Sequence, residues 1–406
     1  MKKRIAVLCA LILLLSGLAI LNGQASGISE FLSNKDSSTV TISREEYDRL
    51  QRYAEMDEIL KIVEEWYYEE PDVDKLIENA TKGLLYGLED PYSFYYNETE
   101  WKEMWEDDEG KYGGIGIQMQ GKTADNTVTI TRVFKDTPAE RVGIKKGDQL
   151  VRVEDVEVNF YSMQNAVNIM RGTPGESVEV EVLRGSEYIT FQVPRAEIVV
   201  NYVDYTMLED QVGYIALYDF AGECQKEFAA AFDALKAQGA KALVVDLRDN
   251  PGGWTDAAQA VGDLFLNDGV LVYTEDRYGT KENMTMTAGA DDIPLVMLVN
   301  ANSASSSEIL SGGLQDRGRA VLVGTKTYGK GIIQAVIPLN NNKEGFQLTF
   351  AQYFLPSGKK VHKEGITPDI LCEMPEELAN ENLPLGDMTD PQLKTAWETA
   401  KGMIQE

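Results

Sequence analysis

Leu295-Val-Met-Leu-Val299-Asn-Ala-Asn302-Ser303-Ala304-Ser305-Ser306-Ser307-Glu308 joins a short apolar run to a serine-rich turn. A continuous apolar run of this length reads as a strand buried on both faces. The residues after it read as a helix start, so Ser305 stands at a sharp turn at the carboxyl end of a strand. Open α/β sheets place their sites there. Backbone N–H groups of the helix's first turn, beginning with Ser306, would face an oxyanion formed at Ser305, and the helix dipole favours negative charge there. Ser303, Ser305, Ser306 and Ser307 also suit a plain capping turn. The stretch alone leaves both readings open.

Around it, strands and helices alternate. Strands are expected at Val212–Leu217, Ala242–Leu247, Leu295–Val299 and Ala320–Val323, with helices at Cys224–Ala237, Thr255–Phe265 and Ser305–Arg317. That order predicts a crossover α/β core. Asp246-Leu-Arg-Asp-Asn-Pro-Gly252-Gly253 ends one apolar strand with bare amides. It suits either a second oxyanion donor or an ordinary strand-to-helix turn. Twenty-five residues after Ser305 comes Tyr328-Gly329-Lys330-Gly331.

The chain has one histidine, His362, in a Lys-Glu-Gly-rich tail segment. A serine nucleophile therefore needs another base, and Lys330 is the candidate. It must be neutral to act, which requires burial against apolar groups such as Ile332, Ile333, Val336 and Ile337. Gln334 offers a hydrogen bond to the amine without adding charge. Three decoys fail. Gly324-Thr-Lys-Thr-Tyr-Gly329-Lys330 follows a phosphate-binding loop until Gly331 replaces the magnesium-binding hydroxyl. Ser357-Gly-Lys-Lys360 lacks the partner motifs of penicillin-binding enzymes, and no GxSxG elbow precedes a histidine.

Upstream, Tyr112 to Arg195 reads as a compact β-rich module. Strands are expected at Ile115–Met119, Val128–Val133, Gln149–Val153, Val178–Leu183 and Ile189–Val193, with one helix, Met163–Met170. Ser43-Arg-Glu-Glu46 is a capping-box pattern opening a helix. Tyr53, Met56, Leu60, Val63 and Tyr67 continue it as a seam suited to self-association. A second helix is expected from Asp74 to Leu88, and a last one from Asp390 to Ile404. Lys2-Lys-Arg4 and the apolar run Ile5–Leu21 form a secretory signal, with cleavage after Ala25 or retention as a membrane anchor. The net charge of −28 argues against nucleic acid and anionic lipid as partners. Cys224 and Cys372, the cysteines beyond the signal, form no evident framework. With a single histidine, no metal site is expected.

These motifs closely resemble the C-terminal processing peptidases, or tail-specific proteases. The resemblance runs from about Asp74 to Ile370. It rests on Asp90-Pro-Tyr-Ser93, Tyr112-Gly-Gly-Ile-Gly-Ile117, Asp246–Gly253, Ser303-Ala-Ser-Ser-Ser-Glu308, Gly329-Lys-Gly331 with Gln334, and Gly365-Ile-Thr-Pro-Asp369. It implies a Ser305–Lys330 dyad with Gln334 orienting the lysine and Asp316 in support. The oxyanion site would combine Ser306 N–H with Gly252 or Gly253. The β-rich module then resembles a PDZ domain whose Gly113-Gly114-Ile115-Gly116-Ile117 loop holds a peptide's terminal carboxylate, with Arg171 coupling it to the protease. Ser306 replaces the alanine usual in the serine motif, and Lys326 an acidic residue usual before Thr-Tyr-Gly-Lys-Gly. Neither removes a named catalytic group.

The expected architecture is multidomain α/β: a ClpP/crotonase-like serine-protease core with an inserted PDZ domain and helical N- and C-terminal regions. Expected limits are 1–25 for the signal or anchor, 26–40 for a linker and 41–102 for the N-terminal helices. They continue as 103–196 for the PDZ domain, 197–375 for the protease core and 376–406 for the C-terminal helical region. The expected activity is that of an exported endopeptidase acting on protein substrates with free C-termini, without cofactor and with no nucleic acid partner. A homodimer through the terminal helical regions belongs to the same expectation, as does a gate formed by the PDZ domain. The alternative from another class is a non-catalytic extracytoplasmic PDZ scaffold.

Overall fold

The computed structural model describes residues 40–122, 125–287, 289–375, 377–378 and 383–404. The signal segment, Cys9 and the linker through Thr39 lie outside them. The chain divides into two compact units, Met1–Ala80 and Thr81–Glu406.

In the first unit the capping box forms: Glu46 N donates to Ser43 Oγ at 3.1 Å and Ser43 N to Glu46 Oε2 at 2.9 Å. The single helix expected from Ser43 is two, Arg44–Leu50 and Ala54–Trp66, separated by a 3₁₀ turn at Gln51–Tyr53. Neither helix has a buried residue. Of the seam, Tyr53, Met56 and Tyr67 are exposed, while Leu60 and Val63 are half-buried.

In the second unit, the core sheet runs Val203–Met207, Val212–Leu217, Ala242–Asp246, Leu295–Val299, Val321–Gly324, Ile370–Leu371, parallel except for the first. Every residue of Val212–Leu217, Ala242–Asp246 and Leu295–Val299 is buried. One face packs on helices Cys224–Ala237, Thr255–Asp263 and Ser306–Asp316 through Phe228, Leu235, Val261 and Leu310. The other meets Leu393, Ala396 and Ala400 of helix Pro391–Ile404. Covering on both faces explains why these strands read as continuous apolar runs.

An antiparallel sheet not read from the sequence stands beside this core. Glu344–Phe354 is its hub, pairing with Phe94–Tyr96, Ile332–Leu339 and Val270–Asp276, and the last of these with Lys281–Thr285. Residues 325–331 connect the core strand Val321–Gly324 to Ile332–Leu339, so the lysine loop bridges the two sheets. The β-rich module forms a sheet in the order Ile117–Lys122, Thr127–Val133, Gln149–Val153, Ser177–Arg184, Glu187–Pro194 around its own apolar cluster. A ribbon of Lys111–Gly114 with Ala196–Val199 closes its base. Its first strand begins at Ile117, not Ile115, because Gly116 turns the chain at φ +88°.

Candidate active site

Ala242–Asp246, Leu295–Val299 and Val321–Gly324 are adjacent and parallel, so the loops that follow them share one edge of the sheet. Those loops carry Gly252–Gly253, Ser305 and Lys330. Topology thus gathers three separated motifs at one place.

A single carboxylate fixes two of them. Glu308 is fully buried. Its Oε2 accepts from Ser305 N at 3.0 Å and from Lys330 N at 2.8 Å. Its Oε1 accepts from Gly329 N at 2.8 Å and from the Thr327 hydroxyl. The Ser305 and Lys330 amides can therefore be no farther apart than those two bonds laid end to end. Tyr353, buried in the antiparallel sheet, repeats the tie on the carbonyl side. Its hydroxyl lies 2.9 Å from Lys330 O and 3.2 Å from Ser305 O. These ties hold Ser305 at φ 53°, ψ −116°. That region is nearly forbidden to a residue with a Cβ and costs about 1–3 kcal/mol.

The hydroxyls of the serine run are not equivalent. Ser303 Oγ donates to Leu247 O at 2.7 Å, Ser306 Oγ to Gly253 O at 2.8 Å and Ser307 Oγ to Asn250 O at 3.0 Å. Among the described residues, Ser305 Oγ donates to none. A hydroxyl already given to a backbone carbonyl is a structural one. Ser305 is the one left to react.

Lys330 is partly buried. Burial lowers its pKa below the usual lysine value, against the opposing pull of the Asp90 and Glu308 charges. Its Nζ lies 4.4 Å from the centroid of the Tyr92 ring. Among the described residues it makes no hydrogen bond to Ser305 Oγ or to Gln334. The Gln334 side chain instead donates from Nε2 to Thr349 Oγ1 at 3.0 Å. Asp316, at the far end of the Ser306–Asp316 helix, holds the turn at Ser357, accepting from its N at 2.7 Å and Oγ at 2.8 Å. At about 1.5 Å rise per residue it stands a whole helix away from Ser305.

The sequence left His362 in a tail. The fold returns that segment to the lysine loop, with Lys363 N donating to Gly329 O at 2.7 Å. His362 Nδ1 is buried without a hydrogen-bond partner among the described residues, and burial with the Lys363 and Lys360 charges lowers its pKa. No hydrogen bond joins it to Ser305.

On the oxyanion side, Gly252 N donates to Asn250 Oδ1 at 2.9 Å, while Gly253 N has no hydrogen bond among the described residues. Gly252 lies against the nucleophile turn at φ +107°. A Cβ there would sit 2.7 Å from Ser305 Cβ and 2.9 Å from Ser306 N. Gly252→Ala should therefore displace the turn: we expect kcat/KM to fall about 100-fold with far-UV circular dichroism unchanged. Wild-type turnover in a peptidase assay would refute that.

Gly114, Ile115, Gly116 and Ile117 of the carboxylate loop line a cavity of about 680 Å³ together with Met163, Val167 and Arg171. Ile115 O accepts from Ala139 N at 2.9 Å and Gly116 O from Phe134 N at 3.0 Å. In a trans peptide the N–H opposes the C=O, so the Gly116 and Ile117 amides turn away from that side. Gly113 and Gly114 lie in the ribbon strand leading into the loop. Gly116 admits no side chain, since a Cβ would meet Thr137 Cβ at 2.4 Å. Ile117–Lys122 is an edge strand of its sheet, open to a further strand. Arg171 rests over the Tyr112 ring, 5.2 Å from its centroid. At the opposite end of the module, Lys146 Nζ reaches Asp249 Oδ2 at 3.4 Å, three residues before Gly252.

Comparison with known proteins agrees with this organisation. Residues 211–372 match the model of peptidase family S41, residues 113–194 that of the PDZ domain, and residues 18–100 that of the activating protease CtpB N-terminal domain. The chain is 34% identical to a carboxy-terminal-processing protease of Bartonella bacilliformis, over 86% of this chain and 82% of that one. It is 32% identical to the carboxy-terminal processing protease CtpA of Bacillus subtilis, over 86% and 73%. Among solved structures it is similar to a photosystem II D1 C-terminal processing protease, with a TM-score of 0.62, 26% identity, and 89% and 99% of the two chains covered. With its S41 peptidase and PDZ domains and these relatives, the chain belongs to the C-terminal processing peptidases, serine-type endopeptidases of family S41.

Proposed function

We propose that this chain is an exported endopeptidase that captures protein C-terminal tails in its PDZ domain and cuts them with a Ser305–Lys330 dyad. In the attack, the neutral Lys330 amine takes the Ser305 hydroxyl proton as Oγ bonds to the scissile carbonyl carbon. Ser306 N–H and the uncommitted Gly253 N–H receive the oxyanion. The ammonium returns its proton to the leaving amine, and the acyl-enzyme is hydrolysed by water activated the same way. Gln334 serves the lysine indirectly, through Thr349 and Asp90. The observation that carries this reading is the Glu308 carboxylate, which binds the backbones of both partners through one oxygen.

A gate formed by the PDZ domain belongs to the same reading. The contact of Lys146 with Asp249 gives the PDZ domain a hold on the turn that carries the oxyanion glycines. Export follows from the charged and apolar N-terminal segment. Exposed Ile59, Ile62 and Trp66 on the N-terminal helices favour a homodimer through that region and the C-terminal helix. The parallel sheet with its crossover helices supports a ClpP/crotonase-like core.

The test is a pair of otherwise identical unfolded substrates, one with a free C-terminus and one amidated. Mass spectrometry of products should show the free-tail substrate cut at least about tenfold faster, since the carboxylate is the charged half of the recognition. Equal rates would remove the tail-capture part of the proposal.

A further inference from the structure

The turn Asp90-Pro-Tyr-Ser93 is the surface on which the lysine amine rests. Lys330 Nζ lies 4.4 Å from the Tyr92 ring centroid. Within the turn, Asp90 Oδ2 accepts from Ser93 Oγ at 2.6 Å and Oδ1 from Tyr92 N at 3.1 Å. The turn is docked on the strand Glu344–Phe354. Gln347 Nε2 donates to Tyr92 O at 3.1 Å and Thr349 N to Ser93 Oγ at 3.0 Å. Phe94–Tyr96 then pairs with the same strand. Gln334 joins this framework through Thr349. The Tyr92 ring is thus held rigidly beneath the amine, and the Asp90 charge acts on it from the same turn.

We propose that Asp90 and Tyr92 are positioning residues for the base: the ring face and the carboxylate seat Lys330 and stabilise the charge it acquires on taking the serine proton. This rests on Lys330 being the base. As the Oγ–H bond breaks and the Nζ–H bond forms, a neutral amine becomes an ammonium. A ring face and a nearby carboxylate both favour the cation.

The surroundings single out Asp90. From the nucleophile helix, Glu308 also raises the lysine pKa, but its oxygens are committed to the backbone amides and Thr327. Tyr328, on the lysine loop, lies with its hydroxyl 3.4 Å from that of Tyr92. Tyr353 bonds the lysine at its carbonyl oxygen and not at its amine. The returning segment brings His362 with Lys360 and Lys363, which carry no negative charge. For Asp90 itself, burial alone would raise the carboxyl. Bonds from Ser93, Thr349 and Tyr92 N, with the Lys330 charge, outweigh that and hold it below its ordinary value. A carboxyl held below its ordinary value is ionised at neutral pH.

Asp90→Asn keeps an acceptor oxygen for the turn and removes the charge. Losing an anion that favours the ammonium lowers the amine's pKa. The ascending limb of kcat/KM against pH should therefore move to lower pH, and the plateau kcat should fall about tenfold. A turn that merely props the fold would lower the plateau or the unfolding temperature and leave the midpoint in place. An unmoved midpoint in an enzyme that still requires Lys330 overturns the proposal alone. Tyr92→Leu should lose more kcat than Tyr92→Phe, which keeps the ring face; equal losses overturn the ring's part. In a Lys330→Ala background, Asp90→Asn should change nothing further. Full activity with an unchanged pH profile in Lys330→Ala itself would instead sink the base assignment, which is a distinguishable failure.

Discussion

Ser305→Ala is expected to lower kcat by about four orders of magnitude or more on an unfolded substrate while leaving the fold and its unfolding temperature essentially unchanged. The separation of effects follows from the local geometry. Alanine keeps the Cβ, so the strained φ of 53° is no worse tolerated than before. The ties to this position, from Glu308 and Tyr353, are all to its backbone. What is lost is a hydroxyl that donates to nothing else among the described residues. Lys330→Ala should cost nearly as much, and the double variant little more, because the two groups act as one unit. With the dyad intact, activity should rise with pH. Burial lowers the amine's pKa, so below it the lysine is charged and inert, and above it the rate levels off. Undiminished cleavage by Ser305→Ala would end the proposal. A flat profile with chemistry rate-limiting would remove the lysine from it.

Much of this is legible in the sequence, for identifiable reasons. Strands Val212–Leu217 and Leu295–Val299 begin and end where the sequence places them because fully buried strands carry an unmixed pattern, and helix Cys224–Ala237 does so because its buried Cys224, Phe228, Ala231, Phe232 and Leu235 recur at helical spacing. Glu344–Phe354 escaped reading because its burial alternates irregularly and it serves three partners at once. Ser305 and Lys330 stand out as residue types at a spacing. Tyr353 and Asp90 do not, since they reach the site from 48 residues downstream of Ser305 and from an N-terminal turn, brought there only by the antiparallel sheet. The same sheet explains Gln334. Counting along the chain puts it near the amine, but its strand faces Thr349, and the side chain follows its strand. Glu308 stands in the serine motif without an evident role, because a glutamate at the third helical position ordinarily serves its own N-cap alone.

That extra service makes Glu308 the second large effect. Its carboxylate satisfies three backbone amides, Ser305, Gly329 and Lys330, and the Thr327 hydroxyl, in a place water does not reach. Glu308→Ala would leave these donors unpaired at about 1–3 kcal/mol each. That is a large share of the roughly 5–15 kcal/mol by which a domain is stable. It would also release Ser305 from its strained conformation, so even the folded fraction should lose at least about 100-fold in kcat. Glu308→Gln separates the two consequences. Its one remaining carbonyl oxygen can serve the Ser305 and Lys330 amides while the new NH₂ faces Thr327 Oγ1, which already accepts from Ile366 N at 2.7 Å. Stability should then fall by less than in Glu308→Ala, and measurable activity should persist. Denaturant melts with active-site titration of the folded fraction would report both quantities. If Glu308→Ala unfolds more easily but each folded molecule turns over at the wild-type rate, the carboxylate is a support for the fold and no clamp on the nucleophile.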